Sequence, residues 1–423
     1  MAAAFGLHDR GYRVTLYESR KQTGGRAFSF DDRQTGQVFD NGPHVMLGCY
    51  REMRRLLGRI GATDGFEHQP TLRVAYRALG RSPSALRLPA LPVPLAMPLA
   101  LMRLPLTVGE RWRALLGLGA VLRGSRATWS VADWLRHRGQ VGAPADWLWI
   151  PLCRAIMNVE PELADARLFT STLREAFSGR ARSGAFMIPK RPWSALLGEP
   201  AARQLAAEGI ELRLGSRLVD LTVVDGAVRE LRFGNAPSEM LEPTDKVVSA
   251  LPWHALDRLL GGEQSFGALR KSPIVTAYFS CEASEDAIPD EGPITSLVGG
   301  DPFHFVCRTP GAGRQHFALL AGGATSLAGH KVEAIEELAR QQLVRHYPEF
   351  DARAPAHVRI AKEAGATIVP ESGSGAMRPS PGLLEGGPRN LHVCGDWTDC
   401  GLPSTLEGAA RSAEQMLRLF DEA

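Results

Sequence analysis

Three short runs of residues are able to do chemistry. The first is Glu18 followed by Gly24-Gly25-Arg26. An acid closing the second strand of a βαβ unit hydrogen-bonds the ribose hydroxyls of a bound dinucleotide. Glycines just behind it let the backbone approach a phosphate, and an arginine there adds charge-assisted hydrogen bonds. A solvated loop would carry the same residues. The second run is the turn Asp40-Asn41-Gly42-Pro43-His44. The third starts at Val393-Cys394-Gly395-Asp396, a strand end with a glycine for close approach and a carboxylate for a ribityl or phosphate-side hydroxyl. Gly401-Leu402-Pro403-Ser404-Thr405-Leu406-Glu407 then opens the last helix, with Ser404 and Glu407 spaced as a capping box. Leu406, Ala409, Ala410, Ala413, Met416 and Leu417 give that helix an apolar face. A helix N-terminus aimed at a ring system stabilises negative charge on it, as on a reduced flavin. A plain capped terminal helix is the alternative.

These runs need elements to hold them. The alanine-rich first ten residues read as a helix stopped at Gly11, and Tyr12–Glu18 as a strand. In a dinucleotide fold the glycine fingerprint lies ~20 residues before the acid. That position falls ahead of Met1, so Met1–Arg10 is read as the fingerprint helix, with the first strand and G-x-G-x-x-G outside this chain. Val45–Ile60 reads as helical, and Thr107-Val-Gly-Glu110 as a capping box opening a further helix. Ser130–Gly179 is largely helical, Pro189–Trp193 a linker and Leu196–Glu208 a helix. Asp225-Gly226 marks a hairpin. Val247–Ala255 reads as a buried strand ending at Pro252, Lys331–His346 as a helix, and Asn390–Asp399 as a strand before the final helix from Thr405.

Composition narrows the class. The 423 residues carry 49 Lys+Arg and 46 Asp+Glu, a near balance that argues against a nucleic-acid binder. With 44% hydrophobic and 22% charged residues, the chain is globular, not disordered. Six cysteines form no C-x-x-C pair and no H-E-x-x-H occurs, which disfavours metal catalysis and points to a reduced, cytoplasmic protein. The start MAAAFGLHDR lacks the pattern of a secretory signal. Ala85–Leu106 is apolar enough to suggest a span, yet it holds Pro89, Pro92, Pro94, Pro98 and Pro105 with Arg87 and Arg103. Prolines at that density break a helix and strand its backbone groups in lipid, so the segment does not span. The wider stretch Ala85–Leu122, edged by Arg103, Arg111, Arg113 and Arg123, either dips into one leaflet as a peripheral membrane contact or packs as core. His254, Cys153, Trp134, Trp147 and Trp149 are assigned to packing.

In this order, Glu18…Gly24-Gly25-Arg26, Asp40–His44, VVSALP and CGDWTDCGLPSTLEGAARSA resemble the FAD-dependent amine oxidase and phytoene desaturase superfamily. Within it, DNGPHVMLGCY and GDWTDCGLPSTLEGA are most similar to bacterial hydroxysqualene dehydroxylases, also called squalene-associated FAD-dependent desaturases. The resemblance implies an α/β fold: a Rossmann-like FAD-binding domain with an interleaved α+β substrate domain. The FAD-binding parts are expected at 1–70, 191–265 and 386–423, a helical and apolar substrate region at 71–190, and a substrate sheet at 266–385. It implies FAD as cofactor. Glu18 would bind the adenosine ribose, Gly24, Gly25 and Arg26 the pyrophosphate, and Leu218 the adenine side. Gly42, Pro43 and His44 would lie by the isoalloxazine, Gly395 and Asp396 by the ribityl-phosphate and Leu406 by the pyrimidine edge, with Leu402 and Ser404 also among the cofactor-binding residues. Cys400, Ala413 and Gly365 depart from the commoner Thr, Gly and Arg. The implied reaction removes an allylic hydroxyl from hydroxysqualene to give squalene for hopanoid or sterol synthesis, with His44 as candidate acid. A carotenoid or phytoene-type desaturase, and an inactive isoprenoid-binding relative, are the other readings.

Overall fold

The computed structural model describes residues 1–126, 128–177, 182–281, 288–309, 316–350 and 355–421. Two pieces of parallel sheet form the dinucleotide-type half. Thr15–Glu18 pairs in parallel with Glu211–Leu214, and Val247–Ser249 with Leu391–Val393, whose other edge takes Gly382–Leu383 antiparallel. The Ala2–Asp9 helix and the terminal Leu406–Leu417 helix pack together beside them, with Leu7, Cys394, Ala413, Met416 and Leu417 buried between. The amine of Met1 is buried within reach of both Glu18 and Cys394, and burial lowers its pKa. The two sheet pieces therefore converge on the start of the first helix.

The other half is one seven-stranded sheet. Its order is Pro355–Ile368, Lys271–Cys281, His316–Gly322, Phe305–Arg308, Ile294–Val298, Arg73–Ala78 and Ser84–Arg87, antiparallel except where Ile294–Val298 meets Arg73–Ala78. One face buries Val275, Ala277, Phe279, Phe317 and Leu319 against Ile335, Ala339 and Leu343 of the Val332–His346 helix. Side chains alternate along a strand and register partners share a face. On the opposite face Thr276, Leu320, Phe305, Ser296 and Tyr76 therefore line up across five strands. One end of that row meets the hairpin Ser29–Asp31/Val38–Asp40, where Phe39 packs on Tyr278 and Ala318. The other end is roofed by the helices between 93 and 177, where Tyr76 and Leu86 join the core of Trp134, Trp149, Cys153 and Phe169.

Local signals explain most of these elements. Thr107 and Glu110 form the reciprocal capping box of the Val108–Arg123 helix. Asp225 and Gly226 both take positive φ, 49° and 69°, the turn that lets Leu218–Val224 fold back on Ala227–Phe233. Other expectations are corrected. The expected Val45–Ile60 helix is a short strand at Met46–Leu47, paired with Phe186–Pro189, followed by a helix confined to Arg51–Arg59. Val247–Ala255 is strand only to Ser249, because Pro252 caps a helix from Trp253. The Asn390–Asp399 strand covers only Leu391–Val393. The apolar segment at 85–106 is broken into strand, turn and a nine-residue helix at Val93–Leu101. Ser404 and Glu407 do not form a capping box: Thr405 caps the last helix through Gly408 N.

Candidate functional site

Arg26 is the hub of the site. Its guanidinium ion-pairs with Asp396 and donates to Ala366 O at 2.5 Å, so the glycine loop, the C-terminal strand end and the long strand of the substrate sheet meet at one residue. Asn41 Nδ2 reaches Glu363 Oε2 at 3.1 Å and Arg26 O at 3.5 Å, which brings the second run of the sequence to the same place. Gly24 is needed for the tight turn, since a Cβ there would lie 2.7 Å from Ala27 O.

Asp40 anchors the turn that carries His44. Its Oδ1 accepts from Ser29 Oγ at 2.7 Å and Trp193 N at 2.8 Å, and its carbonyl accepts from Tyr278 Oη at 2.5 Å. Burial pushes the Asp40 carboxyl up to about 6 against those two donors. His44 stands edge-on to Trp193, centroids 5.9 Å apart, and its carbonyl accepts from Trp193 Nε1. Burial, then the charge of Arg26, pushes the imidazole down to about 4, so it is neutral at pH 7. Its Nε2 is shielded from water and makes no hydrogen bond in the protein.

Asp396 and the loop after it are held by a residue that sequence reasoning missed. Arg378, 5% exposed, donates to the carbonyls of Trp397 at 3.0 Å, Asp396 at 3.4 Å, Thr398 at 2.5 Å and Leu402 at 2.8 Å. Gly395 N donates to Ser412 Oγ at 2.8 Å, and Ser404 Oγ to Asp396 O at 3.4 Å. Leu406 begins the last helix and packs beside Phe5 and Ala410.

Glu18 and Leu218 form a second group. The Glu18 carboxylate accepts from Arg20 N at 2.8 Å and Ser19 Oγ at 3.1 Å, and its carbonyl accepts from Ser216 N, two residues before Leu218. Tyr17 stacks on Phe233, the register partner of Leu218, at 4.5 Å. Arg20 Nη1, donating to Gly25 O at 3.1 Å, ties this group to the Arg26 hub. The three predicted runs thus lie in one band from Glu18 to Asp396. Trp134, Trp149 and Cys153 are core as expected, whereas His254 is only half-buried and sits by the hub. Burial and then the charges of Lys271, Arg258 and Arg26 lower its pKa, and its Nδ1 has no partner.

The band suits an anionic, ring-bearing cofactor. Cations face it from Arg26 and Lys271, the buried Nε2 of His44 awaits a partner, and the space a Cβ would take at Gly42 is open. The chain belongs to the flavin-containing amine oxidoreductase family, whose model matches residues 1–416, and it is an FAD-dependent oxidoreductase. It is 31% identical over 98% of its length, and 94% of the relative's, to a hydroxysqualene dehydroxylase of Rhodopseudomonas palustris. A zeta-carotene desaturase of Arabidopsis thaliana is 26% identical over 62% of this chain and 50% of its own. Among solved structures, an oxidoreductase from Methanosarcina mazei superposes with a TM-score of 0.73, covering 98% of this chain and 96% of that one at 15% identity.

Proposed function

We propose that this chain removes the allylic hydroxyl of hydroxysqualene reductively, giving squalene, from the cytoplasmic face of a membrane. The observation that carries the reading is the likeness to a hydroxysqualene dehydroxylase along nearly the whole chain, where the desaturase likeness is partial. The sheet supports it. The row Thr276, Leu320, Phe305, Ser296 and Tyr76 runs from the hub side of the sheet toward a cleft of about 450 Å³, whose walls mix Trp147, Ile150, Pro151 and Phe305 with Arg81, Asp146, Arg154 and Asp301. The apolar wall of that cleft, Trp147, Ile150, Pro151 and Phe305, suits an isoprenoid chain.

When bound and reduced, FAD would supply the hydride equivalent that replaces the hydroxyl at the allylic carbon, and the protein would have to supply the proton with which that hydroxyl leaves as water. Glu18, Gly24, Gly25, Arg26 and Leu218 would hold the nucleotide end. Gly42, Pro43, Gly395, Asp396, Leu402, Ser404 and Leu406 would hold the ring end. Two side chains at the hub can hand on the proton: His44, through its unpartnered nitrogen, and Glu363, presented by Asn41. Because His44 is neutral until about pH 4, it donates well only where a neighbouring negative charge raises its affinity for a proton. The test is product analysis by the FAD-loaded, chemically reduced chain with hydroxysqualene, and by the oxidised chain with phytoene. Squalene from the first and no desaturation in the second is the expected result. Desaturated product alone would replace the reading with the desaturase one. Loss of about 10²-fold or more in kcat in His44→Gln, or in Glu363→Gln, names the acid.

A further inference from the structure

We propose that the helices Val93–Leu101 and Val108–Arg123 form a platform that lies flat on an anionic phospholipid bilayer. The proposal rests on the isoprenoid reading for its purpose, and it adds the partner and the residues that meet it. On the outer side Leu95 is 63% exposed, Leu99 49%, Met102 62%, Val108 68%, Trp112 64% and Leu116 68%. Val108, Trp112 and Leu116 are spaced by four and share one stripe of their helix, and Leu95 and Leu99 share a stripe of the other. These are not core faces turned outward by a small rotation. Each helix already buries its opposite side, through Ala96, Met97, Ala100 and Leu101 in one and Ala114, Gly117, Ala120 and Val121 in the other. The Val93–Leu101 helix carries no polar side chain at all, and a surface helix in water has a polar outer face. Exposed apolar stripes on two helices in contact mark a partner.

The charges say which partner. Between Ala85 and Ala132 there are six arginines, at 87, 103, 111, 113, 123 and 126, and a single acid, Glu110. That acid is spent on the Thr107 cap and lies 3.9 Å from Arg113. A second copy of this chain docking through the same patch would set arginines against arginines across the symmetry axis. Anionic headgroups instead meet those guanidinium groups, while Trp112 takes the interfacial position that its ring prefers. The two helices have nine and sixteen residues, shorter than the ~20 a span requires. Among the described residues no helix is long and apolar enough to cross a membrane, so the platform lies in the plane of the interface.

The experiment floats the full chain with phosphatidylcholine vesicles, with or without phosphatidylglycerol, in the absence of any isoprenoid. The wild type is expected to rise with the anionic vesicles and to be released by salt, and its tryptophan emission to be quenched by lipids brominated high on the acyl chain. Trp112→Phe should remove most of that quenching. Leu95→Glu with Leu116→Glu should stay at the bottom of the gradient while melting like the wild type, since both positions are exposed. Arg103→Glu with Arg123→Glu should weaken partitioning about tenfold or more. The proposal is overturned if the wild type ignores anionic vesicles, or if the leucine pair floats unchanged. It is equally overturned if sedimentation shows a wild-type dimer that Leu116→Glu dissociates. Turnover of detergent-dispersed hydroxysqualene keeps the two readings apart: turnover without flotation sinks the platform alone, and flotation without turnover sinks the substrate assignment alone.

Discussion

Asp40 shows how one buried carboxylate can organise a site at a cost in stability. Its folded pKa of about 6 lies above the ordinary 3.8, so the native chain binds this proton more tightly than the unfolded one. The sign follows: this residue's penalty is full above about pH 6 and fades as pH falls toward 4. Asp40→Asn keeps an oxygen for Ser29 and Trp193 and removes the charge. Urea unfolding should find the variant more stable by about 1–3 kcal/mol near pH 8, with the gap closing near pH 4. A variant that is less stable at both would mean the charge itself is needed. Arg378 is the opposite case, a buried cation that donates to four backbone carbonyls. Arg378→Met leaves those carbonyls without a donor and should cost about 3 kcal/mol, with Arg378→Lys recovering only part. Arg26 and Asp396 were legible because each sits in a contiguous motif whose chemistry is local. Arg378 was not, because a lone arginine in a Gly-Ser-Pro loop carries no mark of the segment it will hold.

At the scale of elements, the informative case is Glu407. Its spacing from Ser404 suggested that it capped its own helix, but its carboxylate reaches another one. It accepts from the backbone N–H groups of Arg51 at 3.0 Å, Glu52 at 3.2 Å and Met53 at 3.0 Å, the open N-terminus of the Arg51–Arg59 helix. Arg411, paired with Glu175, neutralises it from its own helix. Three donors and a dipole on one carboxylate 1% exposed make its loss expensive. Glu407→Ala should lower the unfolding free energy by about 2–4 kcal/mol, and Glu407→Gln by less, since it keeps one acceptor; equal losses would assign the effect to the pair with Arg411. Capping boxes such as Thr107/Glu110 are closed within four residues and can be read from the sequence. A cap supplied from more than 350 residues away depends on the finished fold, and so does the strand at Met46–Leu47, which exists because Phe186–Pro189 pairs with it.

At the scale of the molecule, the band from Glu18 to Asp396 is assembled from segments far apart in the chain. The hub ion pair spans 370 residues, the Arg26–Ala366 contact 340, and the seven-stranded sheet joins strands at 73–87 to those at 271–368. Sequence periodicity gives the strands but not that order, because loop length says nothing about which edge a strand will take. A ligand seated in such a band touches every segment at once, so its binding energy adds to global stability rather than to one loop. FAD at about a hundredfold excess over its Kd should therefore raise the unfolding free energy by about 2.7 kcal/mol. Arg26→Ala should lose most of that gain, since its guanidinium holds Asp396 and the Ala366 carbonyl together at the hub of the proposed site. Leu95→Glu with Leu116→Glu should keep all of it, because the outer faces of those helices lie on the other side of the roof from the hub. The urea midpoint with and without FAD reads all three proteins. An unchanged wild-type midpoint would mean that the band, although brought together by the fold, does not hold the cofactor tightly enough to couple its segments.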